Sequence, residues 1–295
     1  MLKRTLVFAS PVSLSLRNRQ MVITYRDQPG SDRTIPIEDI GVVLIEHQQV
    51  GITVPLLNAL VGENVEVVLC DDHGLPSAML QSFQGNHLQG EVLRSQLECG
   101  AVLKKQLWKQ VIEAKIRNQA AILEAVGQDA SLLKPLYMNV KSGDQDNREG
   151  AAARIYFQQL FGRSFVRDRW QTGVNAFLNY GYSILRAATA RALVSSGLLP
   201  AIGIFHHHRS NAFPLADDMM EPYRPYVDKV VYHLSLRGVR DLTRSVKAEL
   251  IQVLYTDTRF DKVVRPLSVG LSMTTASLVK CFAKEQKQLS LPVAQ

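Results

Sequence analysis

Cysteine is scarce in this chain, and long apolar runs are missing from it. The 295 residues include three cysteines, Cys70, Cys99 and Cys281, which are odd in number and far apart. This spacing excludes a CxxC metal site and argues against a disulfide scaffold. No run of 18 or more apolar residues occurs, and the basic start of the chain lacks the apolar core and the cleavage site of a secretory signal. We therefore expect a cytoplasmic protein.

Common catalytic signatures are missing as well. The sequence has no internal repeat, no Walker-type glycine loop and no GxSxG nucleophile elbow. Its 46% hydrophobic and 21% charged residues are typical of a soluble globular protein, and its length allows one large domain or two ordinary ones.

Negative charge is in deficit, but only in one part of the chain. Residues 1–80 carry 6 Lys and Arg against 9 Asp and Glu, a net charge of −3, whereas residues 81–295 carry 28 against 18, a net charge of +10. The second part is therefore the candidate for binding a polyanion such as nucleic acid. A basic surface without a partner is the alternative.

The pattern of apolar residues predicts an α+β fold with two domains. Residues 1–76 contain short runs rich in Val, Ile, Leu and Thr, which predict a small β-rich N-terminal domain with a dimerisation or partner surface. Residues 77–90 are rich in Ser, Gln, Gly and Asn and are predicted to be a linker. Residues 91–295 have helical periodicity and predict a larger all-α catalytic domain.

Within that domain, the first periodic segment predicts a long amphipathic helix ending near Gly127. Leu107 and Val111 belong to its apolar stripe, while Lys109 and Lys115 are interpreted as part of a solvated face. We also expect the end of the chain, from residue 290 onward, to be frayed.

Residues 203–225 concentrate three histidines, three carboxylates and two arginines directly after an apolar run. Asp217, Asp218 and Glu221 would share one face of a helix, where like charges repel unless a cation lies between them. A solvated acidic turn before an ordinary helix is the alternative. Three consecutive histidines cannot easily direct their side chains at one ion, so His206, which follows the apolar run, is favoured over His207 and His208.

Glu149 is a further candidate metal ligand. It continues the apolar stripe of the helix predicted to begin after Asp146 or Asn147, so it should face the core side, where a lone carboxylate is costly to bury. A first-turn glutamate favoured by the helix dipole is the alternative. Together with His206 and Glu221, Glu149 forms an oxygen-rich set that suits Mg²⁺ or Mn²⁺ better than zinc, with Asp218 and Asp217 in support.

Basic and amide side chains surround these candidates. Arg163, Arg167 and Arg169 lie beside Trp170, a combination that can hold a phosphate backbone and stack a base, although a solvated loop is equally compatible. Asn175 and Asn179 form a polar line on the next predicted helix. The candidates for DNA contact are Arg163, Arg167, Arg169, Arg224, Arg244 and Lys247.

Four ordered motifs also resemble a known family over nearly the whole chain. They are Asn147–Phe157, Asn175–Tyr182, Gly203–His206 and Asp218–Asp228. They are similar to the successive signatures of the CRISPR-associated adaptation integrase, the subunit that inserts spacers into CRISPR arrays, and most of all to its type II form. The chain departs from the pattern modestly, because three histidines stand where one is needed and Asp217 doubles Asp218.

The resemblance implies the following functional properties. The family's metal-binding glutamate, histidine and acidic residue fall on Glu149, His206 and Glu221, and its additional aspartate falls on Asp218. It implies a prokaryotic homodimer that joins a small ferredoxin-like CRISPR-associated partner. It also implies a reaction on double-stranded DNA, in which a prespacer 3′-hydroxyl attacks a phosphodiester at the repeat boundary with Mg²⁺ or Mn²⁺.

Three other functions remain as alternatives. They are a stand-alone divalent-metal nuclease, a non-catalytic nucleic-acid-binding scaffold and a zinc hydrolase that uses the histidines. A scaffold has no need of Glu149 on a core-side stripe together with Glu221. A zinc enzyme should depend on His207 or His208.

Overall fold

The chain forms two compact units in a computed structural model, Met1–Gly85 and Asn86–Gln295. The structure describes residues 3–25, 30–72, 76–80, 82, 86–168 and 171–294. The boundary between the units lies within the predicted linker, residues 77–90, but a strand at Pro76–Leu80 already occupies the first part of that interval.

The first unit is built mainly of strands. Its described elements are β1 (Arg4–Phe8), β2 (Val12–Arg17), β3 (Gln20–Tyr25), β4 (Arg33–Pro36), β5 (Ile40–Ile45), β6 (Gly51–Ile52), α1 (Val54–Gly62), β7 (Glu66–Cys70) and β8 (Pro76–Leu80). One sheet has the order β1-β5-β7-β8 and the other β4-β3-β2-β6. The core includes Leu14, Val43 and Leu60, so strands of both sheets and α1 share it.

Local sequence explains two features of this unit. Asn18 and Arg19 both have positive φ between the antiparallel strands β2 and β3, so they form a two-residue hairpin turn. α1 begins after Thr53 with Pro55 in its first turn, where the missing N–H of proline costs nothing.

The second unit is mainly helical. Its elements are α2 (Gln89–Leu97), α3 (Ala101–Ala125), α4 (Lys134–Met138), α5 (Arg148–Phe161), α6 (Val174–Ser195), α7 (Pro214–Met220), α8 (Arg224–Leu236), α9 (Arg244–Ile251), β9 (Asp257–Phe260), β10 (Val263–Pro266) and α10 (Leu267–Phe282). α3 packs against α5, α8 and the turn between α7 and α8, so it connects the segments that carry the candidate residues. α6 packs against α7, α8 and α10.

The predicted α+β class is confirmed, with one addition: the helical unit contains the antiparallel hairpin β9–β10. The prediction of a frayed end was wrong for most of that segment. Asn118 of α3 donates to the carbonyl of Pro292 at 3.0 Å and accepts from the amide of Ala294 at 2.9 Å, and Val293 pairs with Arg259. A buried amide satisfies its own polar atoms by holding this segment against α3. Among the described helices, none has the length and apolar character needed to cross a membrane.

Candidate active site

Two glutamates from different elements meet at one lysine. Glu149 is in the first turn of α5, and Glu221 begins the short 3-10 turn that joins α7 to α8. The ammonium of Lys115, on α3, lies 2.5 Å from Oε1 of Glu149 and 2.6 Å from Oε2 of Glu221. The two carboxylates can therefore present oxygens to a common cation.

The start of α5 is built so that Glu149 has a defined position. The carboxylate of the buried Asp144 accepts two hydrogen bonds from backbone amides. The amide nitrogen of Arg148 lies 2.8 Å from Oδ1, and that of Glu149 lies 3.0 Å from Oδ2. Asn147, with a left-handed φ of 50°, accepts from the amide of Gly150. Of the two predicted N-caps, Asn147 is therefore the correct one, and Asp144 satisfies two further amides that the helix leaves without intrahelical partners.

Buried charges surround Glu221, whose side chain is only 2% exposed. Burial pushes the pKa of Glu221 upward, but Arg224, at 3.1 Å from Oε1, and Lys115 outweigh it, so the pKa lies below its usual value. Burial likewise works against the Lys115 ammonium, and the two glutamates reverse this and raise its pKa. Oε2 of Glu221 is buried and contacts the Lys115 ammonium, although the geometry of this contact is not that of a well-aligned hydrogen bond.

The loop before α7 presents His206. The fully buried carboxylate of Asp218 accepts the amide protons of Ile204, Phe205 and His206 and also contacts Nδ1 of His206 at 2.7 Å. This hydrogen bond raises the pKa of His206. Because the carboxylate assigns the ring proton to Nδ1, Nε2 is the nitrogen that can bind a metal.

Gly203 allows this loop to approach Asp218. A Cβ at this position would lie 2.4 Å from the carbonyl oxygen of His206 and 2.8 Å from Oδ2 of Asp218. A larger residue would therefore displace the histidine or its carboxylate partner.

The other members of the acidic and histidine clusters point elsewhere. Nδ1 of His207 contacts the carbonyl of Phe205, and Nδ1 of His208 contacts the hydroxyl of Ser210, both at exposed positions. Asp217 forms a two-point ion pair with Arg186, at 2.6 and 2.9 Å, and also accepts from Asn211. Asp218, and not Asp217, is thus the aspartate that contacts His206.

An aromatic stack lies next to the histidine. The rings of Trp108 and Phe205 are parallel, with centroids 4.2 Å apart, and the His206 ring meets both edge-on. Trp108 is fully buried on α3, whereas Phe205 is exposed. The stack holds the backbone of the loop against the same helix that carries Lys115.

Arg167, Asn175 and Asn179 form one network. The guanidinium of Arg167 donates to Oδ1 of Asn175 at 2.9 Å and to Oδ1 of Asn179 at 2.6 Å, and Asn175 also binds the backbone at Val166 and Asp168. The amide line on α6 therefore anchors the segment that precedes it. Arg167, predicted as a DNA contact, therefore donates guanidinium hydrogen bonds within the protein.

The other predicted DNA contacts differ in accessibility. Arg163 and Arg244 are exposed. The ammonium of Lys247 lies 5.2 Å from the centroid of the Tyr180 ring, and Arg224 combines its ion pair with Glu221 with a position over the Tyr182 ring. Arg169 and Trp170 lie outside the described residues.

The donor set is compatible with a divalent cation. In the described ranges, no three His, Cys, Asp or Glu side chains stand close enough together to hold an ion as they are, and the Lys115 ammonium contacts both glutamates. Nevertheless, Glu149 and Glu221 already contact one cation jointly, the Lys115 ammonium, and His206 offers Nε2. Two carboxylates and an imidazole suit Mg²⁺ or Mn²⁺.

Lys115 and Asp144 are the residues that the sequence analysis missed. Lys115 was interpreted as part of a solvated face, and this was wrong, because its side chain is only 7% exposed. It lies four residues after Val111 and seven after Trp108, so the helical period does place it on the buried face. Asp144 lies before the predicted helix and has a positive φ of 48°, which no periodic pattern could indicate.

Sequence comparison relates this chain to CRISPR-associated proteins. Residues 6–266 match the family model described as CRISPR associated protein Cas1. The chain is 40% identical to the CRISPR-associated endonuclease Cas1 of Neisseria meningitidis serogroup C, over 98% of this chain and 95% of that protein. It is 31% identical to a CRISPR-associated endonuclease Cas1 of Pyrobaculum aerophilum, over 89% and 92% of the two chains.

Solved structures agree with this at the level of the fold. A casposase bound to integration product has a TM-score of 0.80 at 19% identity, with 98% of this chain and 93% of that chain covered. A CAS1 protein from Thermotoga maritima has a TM-score of 0.79 at 16% identity, covering 96% and 98%. One chain of a Cas6-RT-Cas1–Cas2 complex has a TM-score of 0.75 at 21% identity. The match covers 98% of this chain and 36% of that chain.

Proposed function

The chain belongs to the Cas1 family of CRISPR-associated proteins, and from this premise we propose that it is the metal-dependent integrase that inserts prespacer DNA into a CRISPR array. The observation that carries the proposal is the meeting of Glu149 and Glu221 at one cation, in the unit that carries the chain's positive charge. Its relatives are named endonucleases, and this supports phosphodiester chemistry. That this chain is the type II form stays a prediction.

We propose a transesterification. The 3′-hydroxyl oxygen of the prespacer forms a bond to phosphorus at the repeat boundary, while the bond from that phosphorus to the target strand's own 3′-oxygen breaks. A bound Mg²⁺ or Mn²⁺ would supply activation of the attacking oxygen and neutralisation of charge on the phosphate.

Each side chain has a distinct role in this proposal. Glu149 and Glu221 would hold the ion through carboxylate oxygens, and His206 would do so through Nε2. Asp218 would orient the imidazole by accepting a hydrogen bond from its Nδ1–H, and Arg224 would keep Glu221 ionised inside the protein.

The proposed partners are double-stranded DNA, both prespacer and repeat, a second copy of the chain and a small ferredoxin-like CRISPR-associated protein. Structural neighbours bound to an integration product and in a complex with Cas2 support the first and the third of these. A stand-alone metal nuclease is the second candidate, since the relatives are named endonucleases and water could replace the 3′-hydroxyl in the same site.

The proposal is tested by covalent joining. The protein and its small partner are incubated with short duplex DNA and a supercoiled plasmid, in Mg²⁺, in Mn²⁺ and in excess EDTA. We expect joined product in either metal, none in EDTA, and none when the duplex ends lack their 3′-hydroxyls. Plasmid cleavage that is indifferent to the duplex ends would favour the nuclease, and full joining in EDTA would exclude metal dependence.

Charge-removing variants at the two glutamates give the second test. Glu149→Gln and Glu221→Gln should each slow joining by about a thousandfold or more, which corresponds to roughly 4 kcal/mol in the barrier. DNA affinity, measured by gel shift, should be unchanged or slightly higher, because a negative charge facing the phosphate is lost.

Glu113→Gln is the matched control, since its side chain on α3 is 27% exposed, close to the 28% of Glu149. Thermal melting checks that all three variants fold. If Glu149→Gln folds and joins DNA at near the wild-type rate, Glu149 is not a metal ligand and serves only the start of its helix.

A further inference from the structure

Lys115 occupies the position at which the two glutamates meet. Its ammonium lies within 2.6 Å of an oxygen of each, and its side chain is 7% exposed. Removing an ammonium from water costs several kcal/mol, and only close opposite charges offset this. The lysine in turn supplies a cationic partner to both carboxylates, of which Glu221 is buried and Glu149 is largely covered.

We propose that Lys115 is a positioning residue that holds Glu149 and Glu221 together in the metal-free protein and is displaced when a divalent cation binds. The inference rests on the metal dependence proposed above and assigns a role to a residue outside the ligand set. Lys115 thereby sets the affinity of the site for the metal.

Electrostatics requires the displacement. A metal bound to carboxylate oxygens lies about 2.0–2.6 Å from them, the same distance at which the ammonium now contacts these oxygens. Two cations sharing this space would repel each other strongly in a region of low dielectric. The lysine has a flexible four-carbon stem, so its ammonium can move aside while the helix stays in place.

The exchange also changes the charge of the site. With Lys115 and Arg224 present, the charges of the two glutamates are balanced. Replacing the ammonium by a divalent ion adds one positive charge, and this favours the approach of a phosphodiester. The lysine thus keeps the glutamates positioned without giving the resting site an excess of positive charge.

Direct Mn²⁺ binding to the full-length protein tests the proposal. Free Mn²⁺ is followed by electron paramagnetic resonance during titration of the wild type and of Lys115→Met, which keeps most of the stem and removes the charge. We expect Lys115→Met to bind Mn²⁺ about tenfold more tightly or better, because the ion no longer competes with a bound ammonium. Lys109→Met, which removes a more exposed lysine from the same helix, should bind as the wild type does.

Thermal melting gives a readout that is independent of activity. In EDTA, Lys115→Met should melt several degrees below the wild type because two carboxylates lose their shared partner, and Mn²⁺ should restore most of the loss. Should this variant fold only with Mn²⁺, Lys115→Arg, which keeps the charge, should fold in EDTA and bind Mn²⁺ no more tightly than the wild type.

The outcomes separate this inference from the proposed function. If Lys115→Met binds Mn²⁺ no more tightly than the wild type, while the wild type still joins DNA in Mn²⁺, the lysine is not a competitor and the inference alone fails. If neither protein binds Mn²⁺ and the wild type joins no DNA, both proposals fail.

Discussion

Two buried carboxylates, Glu221 and Asp228, show how charge at a single residue depends on its neighbours. Both side chains are almost completely buried. Glu221 contacts Arg224 and Lys115, and its pKa is lowered. Asp228 accepts a short hydrogen bond from the Tyr182 hydroxyl, but burial dominates and raises its pKa to about 7. Equal burial therefore leads to opposite protonation behaviour, and the difference lies in the cations within reach.

The raised pKa of Asp228 predicts a pH-dependent stability. Between pH 3.8 and about 7 the folded protein holds a proton on Asp228 that the unfolded chain has lost. The contribution of Asp228 to the free energy of unfolding is therefore greatest below that range and declines as the pH rises through it. The full change corresponds to about 4 kcal/mol, since each pH unit contributes about 1.4 kcal/mol.

Asp228→Asn, which is neutral and can still accept from Tyr182, should remove this slope. The free energy of unfolding in urea, measured from pH 4 to pH 8 for wild type and variant, checks it. Asp241→Asn, at an exposed position, is the control and should keep the wild-type slope. An unchanged slope in Asp228→Asn would show that this carboxyl is ionised throughout.

At the scale of the element, the start of α5 couples stability to the site. The helix begins one residue before Glu149, and Asp144 accepts two of its first amide protons. The cap therefore fixes both the beginning of the helix and the direction of the glutamate.

Asp144→Ala should lower the free energy of unfolding by about 1–2 kcal/mol, the usual effect of losing a side-chain cap, and should also slow DNA joining. Asp146→Ala should leave the free energy of unfolding nearly unchanged, because Asp146 is exposed and its ion pair with Lys141 lies at the surface. Denaturant unfolding and the joining assay on both variants test this. Normal joining by a destabilised Asp144→Ala would show that the cap does not position Glu149.

For the whole molecule, charge is divided between the two units. Residues 81–85 are uncharged, so Asn86–Gln295 carries the entire net charge of +10 and Met1–Gly85 carries −3. We therefore expect the phosphates of the DNA to contact the second unit.

DNA affinity should fall by orders of magnitude between about 50 and 200 mM salt if several phosphates are neutralised. Arg163→Ala, at an exposed position of the second unit, should weaken binding and reduce the slope of log affinity against log salt by about one. Arg19→Ala, exposed in the first unit, should change neither quantity. Fluorescence anisotropy with labelled duplex measures both, and a flat salt profile would contradict a phosphate-backbone footprint.

Much of the fold and part of the candidate site could be predicted because the information was local. Local sequence patterns predicted the β-rich first unit and the helix that carries Glu149. His206 was preferred to its two neighbours because it follows an apolar run, and in the structure it is the histidine that contacts Asp218. The metal-binding roles themselves stay predictions.

Contacts between distant segments could not be predicted in this way. Lys115 is 34 residues from Glu149 and 106 from Glu221, and no local pattern reports that these three side chains meet. Two further contacts could not be predicted for the same reason. Arg167 donates to the amide pair on α6, and Asn118 holds the end of the chain.

The sequence by itself therefore determined most of the elements, the division of charge and the types of side chain available for chemistry, since each of these depends on residues close together in the chain. Only the tertiary structure decided which carboxylates share a cation, which aspartate orients the histidine and which arginines remain accessible. The physical reason is that burial and pairing, which set the charge and position of a polar side chain, are properties of its neighbours in space.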